Sequence, residues 1–290
     1  MIDSPASGAG YDDAASGTGE VDPVVAALRG AGCVFAEEEA ALLREAAPTS
    51  GALQRLVAQR VDGEPLEYLL GWAEFRGLRV GVDPGVFVPR QRTAFLVDEA
   101  VAATAAGPGA HRTVVDLCCG SGALGLAAAG SLRANGATVD LVAADIDVAA
   151  VACARRNLEP VGGEVFHGDL CSALPDALLG HIDLLLANTP YEPTAMIAHM
   201  PPEARDHEPR TALDGGADGL DVLRRLAGQA ARQLAPGGVL LVEISTAQRD
   251  SAAAIVAAAG LLPSVAYSRE YDATVLHGAR RTVDAPTPRR

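Results

Sequence analysis

Three short stretches carry residues able to do chemistry. In the first, an apolar run from Ile182 to Ala187 stops at Asn188, followed by Thr189, Pro190 and Tyr191. An amide, a rigid kink and an aromatic ring thus stand side by side. Taken alone, that is also a common way to end a buried strand. In the second, VVDLCCGSGALGLAAA, a strand ends near Asp116 and the run Cys118, Cys119, Gly120, Ser121, Gly122 leads into a helix. Glycines there let the backbone approach a ligand and leave a helix N-terminus open. Such turns are often only tight turns, and glycines at 120, 122 and 125 leave a dinucleotide fingerprint open by spacing. The third group is acidic. Asp145 ends the next apolar run, where an acid accepts hydrogen bonds from ribose hydroxyls. The competing role, for Asp145 or for Asp147, is a helix N-cap. Asp169 and Leu170 follow a further short strand, where an acid faces an adenine amino group or sits in a solvated turn. Acids and glycines at three successive strand ends, all aimed at one crevice, point to a nucleoside-like ligand.

These residues need a scaffold that brings strand ends together. From about Gln91 the pattern is a helix, then strand, turn and helix in alternation. Strands are expected at Thr113–Leu117, Val139–Ala144, Glu164–Phe166, Ile182–Ala187 and Val239–Ile244, with helices at Ala123–Arg133 and Val148–Asn157. LLPSVAYSRE and YDATVLHGAR read as two tightly joined strands, an antiparallel edge pair. Alternation of this kind builds an α/β fold, a parallel sheet with helices on both faces. Before it, Val21 to about Gly71 shows short helical patterns, including EEEAALLREA and SGALQRLVAQRV, so a small helical N-terminal domain is expected over 21–71. Residues 72–88 alternate and carry turn signals at Arg76-Gly77 and Asp83-Pro84-Gly85, which predicts a β-hairpin linker into a domain spanning 89–290. Residues 1–20, rich in Gly, Ser, Ala and Asp, have almost nothing to bury and read as a disordered tail.

Bulk properties narrow the function classes. With 290 residues and 49% hydrophobic residues the chain can bury a full core. A net charge of -14 and the lack of any Lys/Arg-rich run argue against a direct grip on nucleic acid. The five cysteines form no C-x-x-C pair, and no apolar run is long enough to span a bilayer. Reduced thiols in a cytoplasmic protein, with no membrane association, are the simple reading. The six histidines lie at no zinc-site spacing, so no metal is assigned. Nothing in the sequence speaks to oligomeric state.

The motifs together resemble a family. A strand ending in Asn188-Thr189-Pro190-Tyr191 is similar to the N-P-P-Y of class I, Rossmann-like S-adenosylmethionine methyltransferases that modify planar amino groups. Adenine-N6 nucleic-acid enzymes and protein-(glutamine-N5) methyltransferases share that motif. EYLLGWAEFRGLRVGVDPGVFVPRQRT, HEPRTALDGGADGLDVLRRL and APGGVLLVEISTAQ resemble the glutamine branch, the release-factor glutamine methyltransferase group, over nearly everything past the tail. Three departures stand out. Thr189 replaces the first proline, Cys118 replaces the first glycine of the cofactor loop, and Thr93-Ala94 lacks the glutamate of P-R-x-x-T-E.

The resemblance implies a doubly wound, mostly parallel seven-stranded sheet, and S-adenosylmethionine as cofactor, held by Asp116, Cys118, Cys119, Gly120, Ser121, Gly122, Asp145, Asp169, Leu170 and Asn188. It implies a protein substrate carrying a target glutamine, such as the Gly-Gly-Gln loop of a translation release factor, gripped in part by the helical N-terminal domain. The catalytic residues would be Asn188, Thr189, Pro190 and Tyr191. A carboxamide nitrogen is a poor nucleophile because its lone pair is delocalised. An enzyme must hold the NH2 with two acceptors, here the Asn188 side chain and the Thr189 carbonyl, while Tyr191 stacks on the amide plane. Pro190 keeps residue 189 extended, so the carbonyl direction survives the loss of a proline at 189. The alternatives are an adenine-N6 methyltransferase, which the acidic charge opposes, and a cofactor-binding protein without catalysis, suggested by Thr189 and the missing glutamate.

Overall fold

The computed structural model describes residues 22–104 and 109–282. The expected tail, 1–20, lies outside the described residues. The chain divides into two compact units after Val61.

In the first unit the described residues form α1 (Pro23–Gly30), α2 (Ala36–Ala46) and α3 (Ser50–Val61). Asp22 caps α1 by accepting from the Val24 N–H at 3.0 Å, with Pro23 at the first helical position, where its missing N–H costs nothing. Leu28, Ala36, Ala40 and Leu43 are fully buried. A buried ion pair, Arg60 Nε to Glu39 Oε2 at 2.7 Å, joins α3 to α2.

The second unit opens with a short helix, α4 (Leu66–Leu70), and a two-stranded antiparallel hairpin, β1 (Trp72–Phe75) and β2 (Leu78–Gly81). The hairpin is shorter than the alternation predicts. Beyond Val82 the Asp83-Pro84-Gly85 turn ends the pairing, and residues 82–90 run as a connecting segment. The Tyr68 hydroxyl donates to the Val86 carbonyl at 2.8 Å and holds this segment down. A short 3-10 turn at Gln91–Thr93 then precedes α5 (Ala94–Ala103).

The remaining elements are β3 (His111–Leu117), α6 (Ala123–Ala134), β4 (Thr138–Asp145), α7 (Val148–Leu158), β5 (Glu164–His167), β6 (Ile182–Ala187), α8 (Pro202–His207), α9 (Arg210–Leu213), α10 (Asp221–Gln233), β7 (Leu234–Ile244), α11 (Arg249–Ala258), β8 (Leu262–Ser268) and β9 (Ala273–Ala279). The sheet order is β5-β4-β3-β6-β7-β9-β8, parallel except where β9 pairs antiparallel with β7 and β8. Every central strand is buried on both faces, which is why these segments read as near-continuous apolar runs. Alternate residues sort to opposite faces. Val114, Leu184, Leu186 and Leu241 pack beneath α5, α6 and α7, while Val115, Leu185, Leu240 and Val242 pack beneath α10 and α11. The strand order reverses between β3 and β6, so the loops after β3, β4, β5 and β6 open on one crevice at the carboxyl edge. Among the described residues no helix is long and apolar enough to cross a membrane.

Candidate active site

A cavity of about 540 Å³ lies at those strand ends, within the second unit. Its lining includes Asp116, Cys118, Cys119, Gly120, Ser121, Asp145, Asp169, Leu170, Asn188, Thr189, Pro190 and Tyr191. All the residues singled out in the sequence therefore converge, save Gly122. That glycine starts α6 at φ 79°, and a Cβ on it would lie 3.0 Å from the Leu158 side chain. Its part is to turn the chain under Leu158 rather than to face the cavity.

The loop after β3 is shaped by backbone conformation. Cys118 adopts φ 55° and Gly120 φ 54°. For Cys118 the left-handed region costs roughly 1–2 kcal/mol, a strain glycine would not carry. The loop is also held by carboxylates. Asp145 Oδ2 accepts from the Gly120 N–H at 2.9 Å and Asp145 Oδ1 from the Asp147 N–H at 2.9 Å. Asp147 is the helix cap, accepting from the Ala149 N–H at 2.7 Å, which leaves Asp145 to the cavity. Asp116 is 1% exposed; its Oδ2 accepts from the Gly125 N–H at 2.8 Å, and among the described residues its buried Oδ1 has no partner. Burial pushes the Asp116 carboxyl up to about 7, and burial likewise raises Asp145. The Cys118 and Cys119 thiols are pushed far up by burial and by these acids, so they stay protonated and are poor nucleophiles. Asp169 pairs with Arg225 of α10.

The loop after β6 is shaped by side chains from elsewhere. Asn188 Nδ2 donates to Thr93 Oγ1 at 3.4 Å, and among the described residues nothing donates to Asn188 Oδ1 or to the Thr189 carbonyl. Thr189 is 3% exposed. The Tyr191 hydroxyl donates to Glu243 Oε1 at 3.0 Å and accepts from Arg92, whose guanidinium carbon lies 5.8 Å from the ring centroid. Gln248 Nε2 donates to the Tyr191 carbonyl at 2.9 Å. The glycine-rich run at 214–219 is more than the turn its composition suggests. Gly215 N–H donates to the Glu192 carbonyl and Thr194 N–H to the Gly216 carbonyl, both at 2.9 Å. A Cβ on Gly219 would stand 2.1 Å from the Tyr191 oxygen, so only glycine allows this approach. In the Glu208-Pro209-Arg210 segment the acid does the tying. Buried Glu208 accepts from the Val88 N–H at 3.1 Å and from Arg90 at 2.6 Å, while Arg210 is exposed and pairs with Asp214. Ala94, where the glutamate of P-R-x-x-T-E is missing, is core.

Some supporting residues escape a reading by local pattern. Asn157 Oδ1 accepts from the Gly81 N–H at 3.0 Å, and its Nδ2 donates to the Ser121 carbonyl at 2.8 Å, coupling the hairpin to the β3 loop. Glu243 and Gln248 left signals: a lone acid in the apolar run GVLLVEI, and a Ser245-to-Gln248 capping box.

Comparison with known proteins fixes the family. The family described as "Methyltransferase small domain" matches residues 78–200. The chain is 42% identical over 193 residues to the release factor glutamine methyltransferase of Streptomyces coelicolor, covering 67% of each chain. Against the release factor glutamine methyltransferase of Moorella thermoacetica it is 37% identical over 227 residues, 76% of each. The chain belongs to the release factor glutamine methyltransferase family. The methyltransferase is also 36% identical over 218 residues to a 4-amino-L-phenylalanine/4-methylamino-L-phenylalanine methyltransferase of Streptomyces pristinaespiralis, covering 74% of this chain and 73% of that one. Its fold matches the T. thermophilus 16S rRNA N2 G1207 methyltransferase, solved with AdoMet and guanosine, at TM-score 0.52 and 20% identity, over 72% of this chain and 50% of that one. The methyltransferase uses S-adenosylmethionine, and the cavity suits it. An unpartnered buried Asp116 oxygen, the Asp145 carboxylate and a glycine cradle are a fitting set for a ligand bearing two cationic centres and a ribose. Among the described residues no cluster of His, Cys, Asp or Glu could hold a metal ion.

Proposed function

We propose that this methyltransferase modifies the side-chain amide nitrogen of a glutamine in a protein, the substrate class being the Gly-Gly-Gln loop of a translation release factor. The observation that carries the reading is the free pair of acceptors, Asn188 Oδ1 and the Thr189 carbonyl, beside an anchored Tyr191 in the cavity that takes the cofactor. The names of its relatives support the same substrate.

When bound, S-adenosylmethionine supplies an electrophilic methyl on a sulfonium. Asp145 would hold the ribose hydroxyls, Asp116 the cationic amino-acid end, the main chain of Cys118 to Ser121 the cofactor's flank, and Asp169 with Leu170 the adenine. Asn188 Oδ1 and the Thr189 carbonyl accept the two N–H bonds of the target amide. That holds the amide plane still and leaves the lone-pair face of the nitrogen turned to the methyl donor. Pro190 fixes the direction of the Thr189 carbonyl, and Tyr191 stacks on the amide. Because the group used at 189 is a backbone carbonyl, threonine serves as well as proline. The chain offers acceptors rather than a strong base: the methylated nitrogen becomes acidic and gives its proton to water. Orientation supplies most of the acceleration, an effect worth up to roughly 7–11 kcal/mol. The helical first unit is assigned to gripping the protein substrate. Five free cysteines and a translation substrate favour a cytoplasmic setting.

The test is labelled transfer from S-adenosylmethionine to a purified release factor, to 4-amino-L-phenylalanine and to nucleic acid, followed by mapping of the label. Label on the glutamine of the Gly-Gly-Gln loop is expected. Label confined to the aromatic amine or to adenine would overturn the reading, and none anywhere would leave a cofactor-binding protein.

A further inference from the structure

We infer that Glu243, at the carboxyl end of β7, is a positioning residue for the acceptor amide: with Arg92 it fixes the Tyr191 ring on which that amide stacks. The inference rests on the glutamine reading above.

Glu243 does not line the cavity, and its side chain is all but inaccessible, the residue being 2% exposed. Its Oε1 accepts from the Tyr191 hydroxyl at 3.0 Å and from Arg92 Nε at 3.1 Å, and Arg92 also donates to the same hydroxyl. The three side chains close a triangle around one phenol oxygen. Its neighbours along the strand, Leu241, Val242 and Ile244, are apolar and buried. A structural role alone does not explain a carboxylate there. The paired Arg92 side chain is half exposed, so it repays little of the cost of burying the carboxylate, and among the described residues Glu243 Oε2 is buried without a hydrogen-bond partner. A destabilising polar group kept at the edge of a cavity marks a functional constraint.

Tyr191 needs such a constraint. Its main chain is set by Gln248 and by the close approach of Gly219, yet those contacts leave the ring free to turn about two side-chain bonds. The carboxylate removes that freedom from the far end of the ring. Burial and the Glu243 charge also push the Tyr191 phenol well above its ordinary value, which favours the O–H donor form.

A double-mutant cycle of Glu243→Leu and Tyr191→Phe tests the idea, with Glu243→Gln as the conservative variant. Single-turnover transfer to a release factor is measured at saturating cofactor, and cofactor Kd by calorimetry. Glu243→Leu should slow transfer about 10–100-fold, the scale of a small misplacement of the reacting groups, and leave cofactor Kd within about twofold. Tyr191→Phe keeps the ring and loses the handle, so it should fall by a similar factor, and the double variant should be no slower than the slower single one. Glu243→Gln keeps an acceptor oxygen and should recover most of the loss. Losses that multiply in the double variant, or a cofactor Kd that worsens as much as the rate, would overturn the inference. An active wild type with an equally active Glu243→Leu sinks this inference alone; a wild type that labels no glutamine sinks the glutamine reading and this inference with it.

Discussion

The loops after β3 and β6 border one cavity and differ in how far their own backbone sets their shape. The β3 loop takes its turn from its own backbone, with left-handed conformations at Cys118, Gly120 and Gly122 and a Gly122 N–H to Cys119 carbonyl bond at 2.7 Å, and is braced by Asp145 and Asn157. The β6 loop has no left-handed residue from Asn188 to Tyr191 and is held by partners far off in sequence, among them Arg92, Thr93, Gly219, Glu243 and Gln248. On the proposed reading the methyl donor is received by a largely local main-chain cradle. An acceptor amide that must be oriented against it needs a platform that the whole domain over-determines. Damage to the first loop should therefore appear as lost affinity, and damage to the second as lost rate or lost fold.

The largest effect is expected from Gly219→Ala. Its Cβ would meet the Tyr191 oxygen at 2.1 Å, in a backbone with φ 75°. Strain and overpacking together should lower stability by roughly 2–5 kcal/mol, read as a shift of the urea midpoint. An unchanged midpoint would show that the clamp on the β6 loop gives way easily.

Asp145→Ala should come next, weakening S-adenosylmethionine by about 1.5–3 kcal/mol through lost charge-assisted hydrogen bonds, with the rate at saturation little changed. Calorimetry returning the wild-type affinity would move the ribose contact to another residue.

Asp116 makes the same end of the cavity sensitive to pH. Burial lifts its carboxyl to about 7, above the value of about 3.9 in an unfolded chain. The folded protein therefore holds this proton more tightly than the unfolded one. The resulting stability is complete below about pH 4 and is lost as pH rises through about 7. A cationic ligand favours the ionised carboxylate, so cofactor affinity should climb with pH up to about 7, by at most about tenfold per unit. Calorimetry across that window checks it; a flat affinity would mean that the Asp116 carboxyl does not face the cofactor's charge.

Cys118→Gly should have the smallest effect. Relief of the left-handed strain is partly offset by the freer unfolded chain, leaving a gain of about 0.5–1 kcal/mol in thermal or chemical stability. A loss instead would show that the Cys118 side chain packs favourably enough to outweigh its backbone.

The same contrast explains what the sequence discloses. The strand-turn-helix alternation, the glycines at 120 and 122 and the acids at 116, 145 and 169 are local signals, and they suffice to locate the β3, β4 and β5 loops. Asp145 and Asp147 compete for the cap in the sequence, and only the bond from the Ala149 N–H assigns it to Asp147. The setting of Tyr191 is not legible in this way. Its partners are spread from Arg92 to Gln248, and the Asp214–Gly219 run reads as a turn until its hydrogen bonds to Glu192 and Thr194 are seen. The short hairpin has a different cause, a local one: alternation continues past Gly81, but Asp83-Pro84-Gly85 stops the ladder.

We propose that Asn188 orients the acceptor amide rather than merely ending a strand. Single-turnover transfer to a release factor at saturating S-adenosylmethionine, comparing wild type with Asn188→Ala and Asn188→Asp, tests it most directly. A loss of about 10²–10³ in rate is expected for Asn188→Ala, the usual cost of one oriented transition-state contact, with a much smaller change in cofactor affinity. Asn188→Asp keeps an acceptor oxygen of the same shape and should fall between the two. Transfer by Asn188→Ala at the wild-type rate would contradict it.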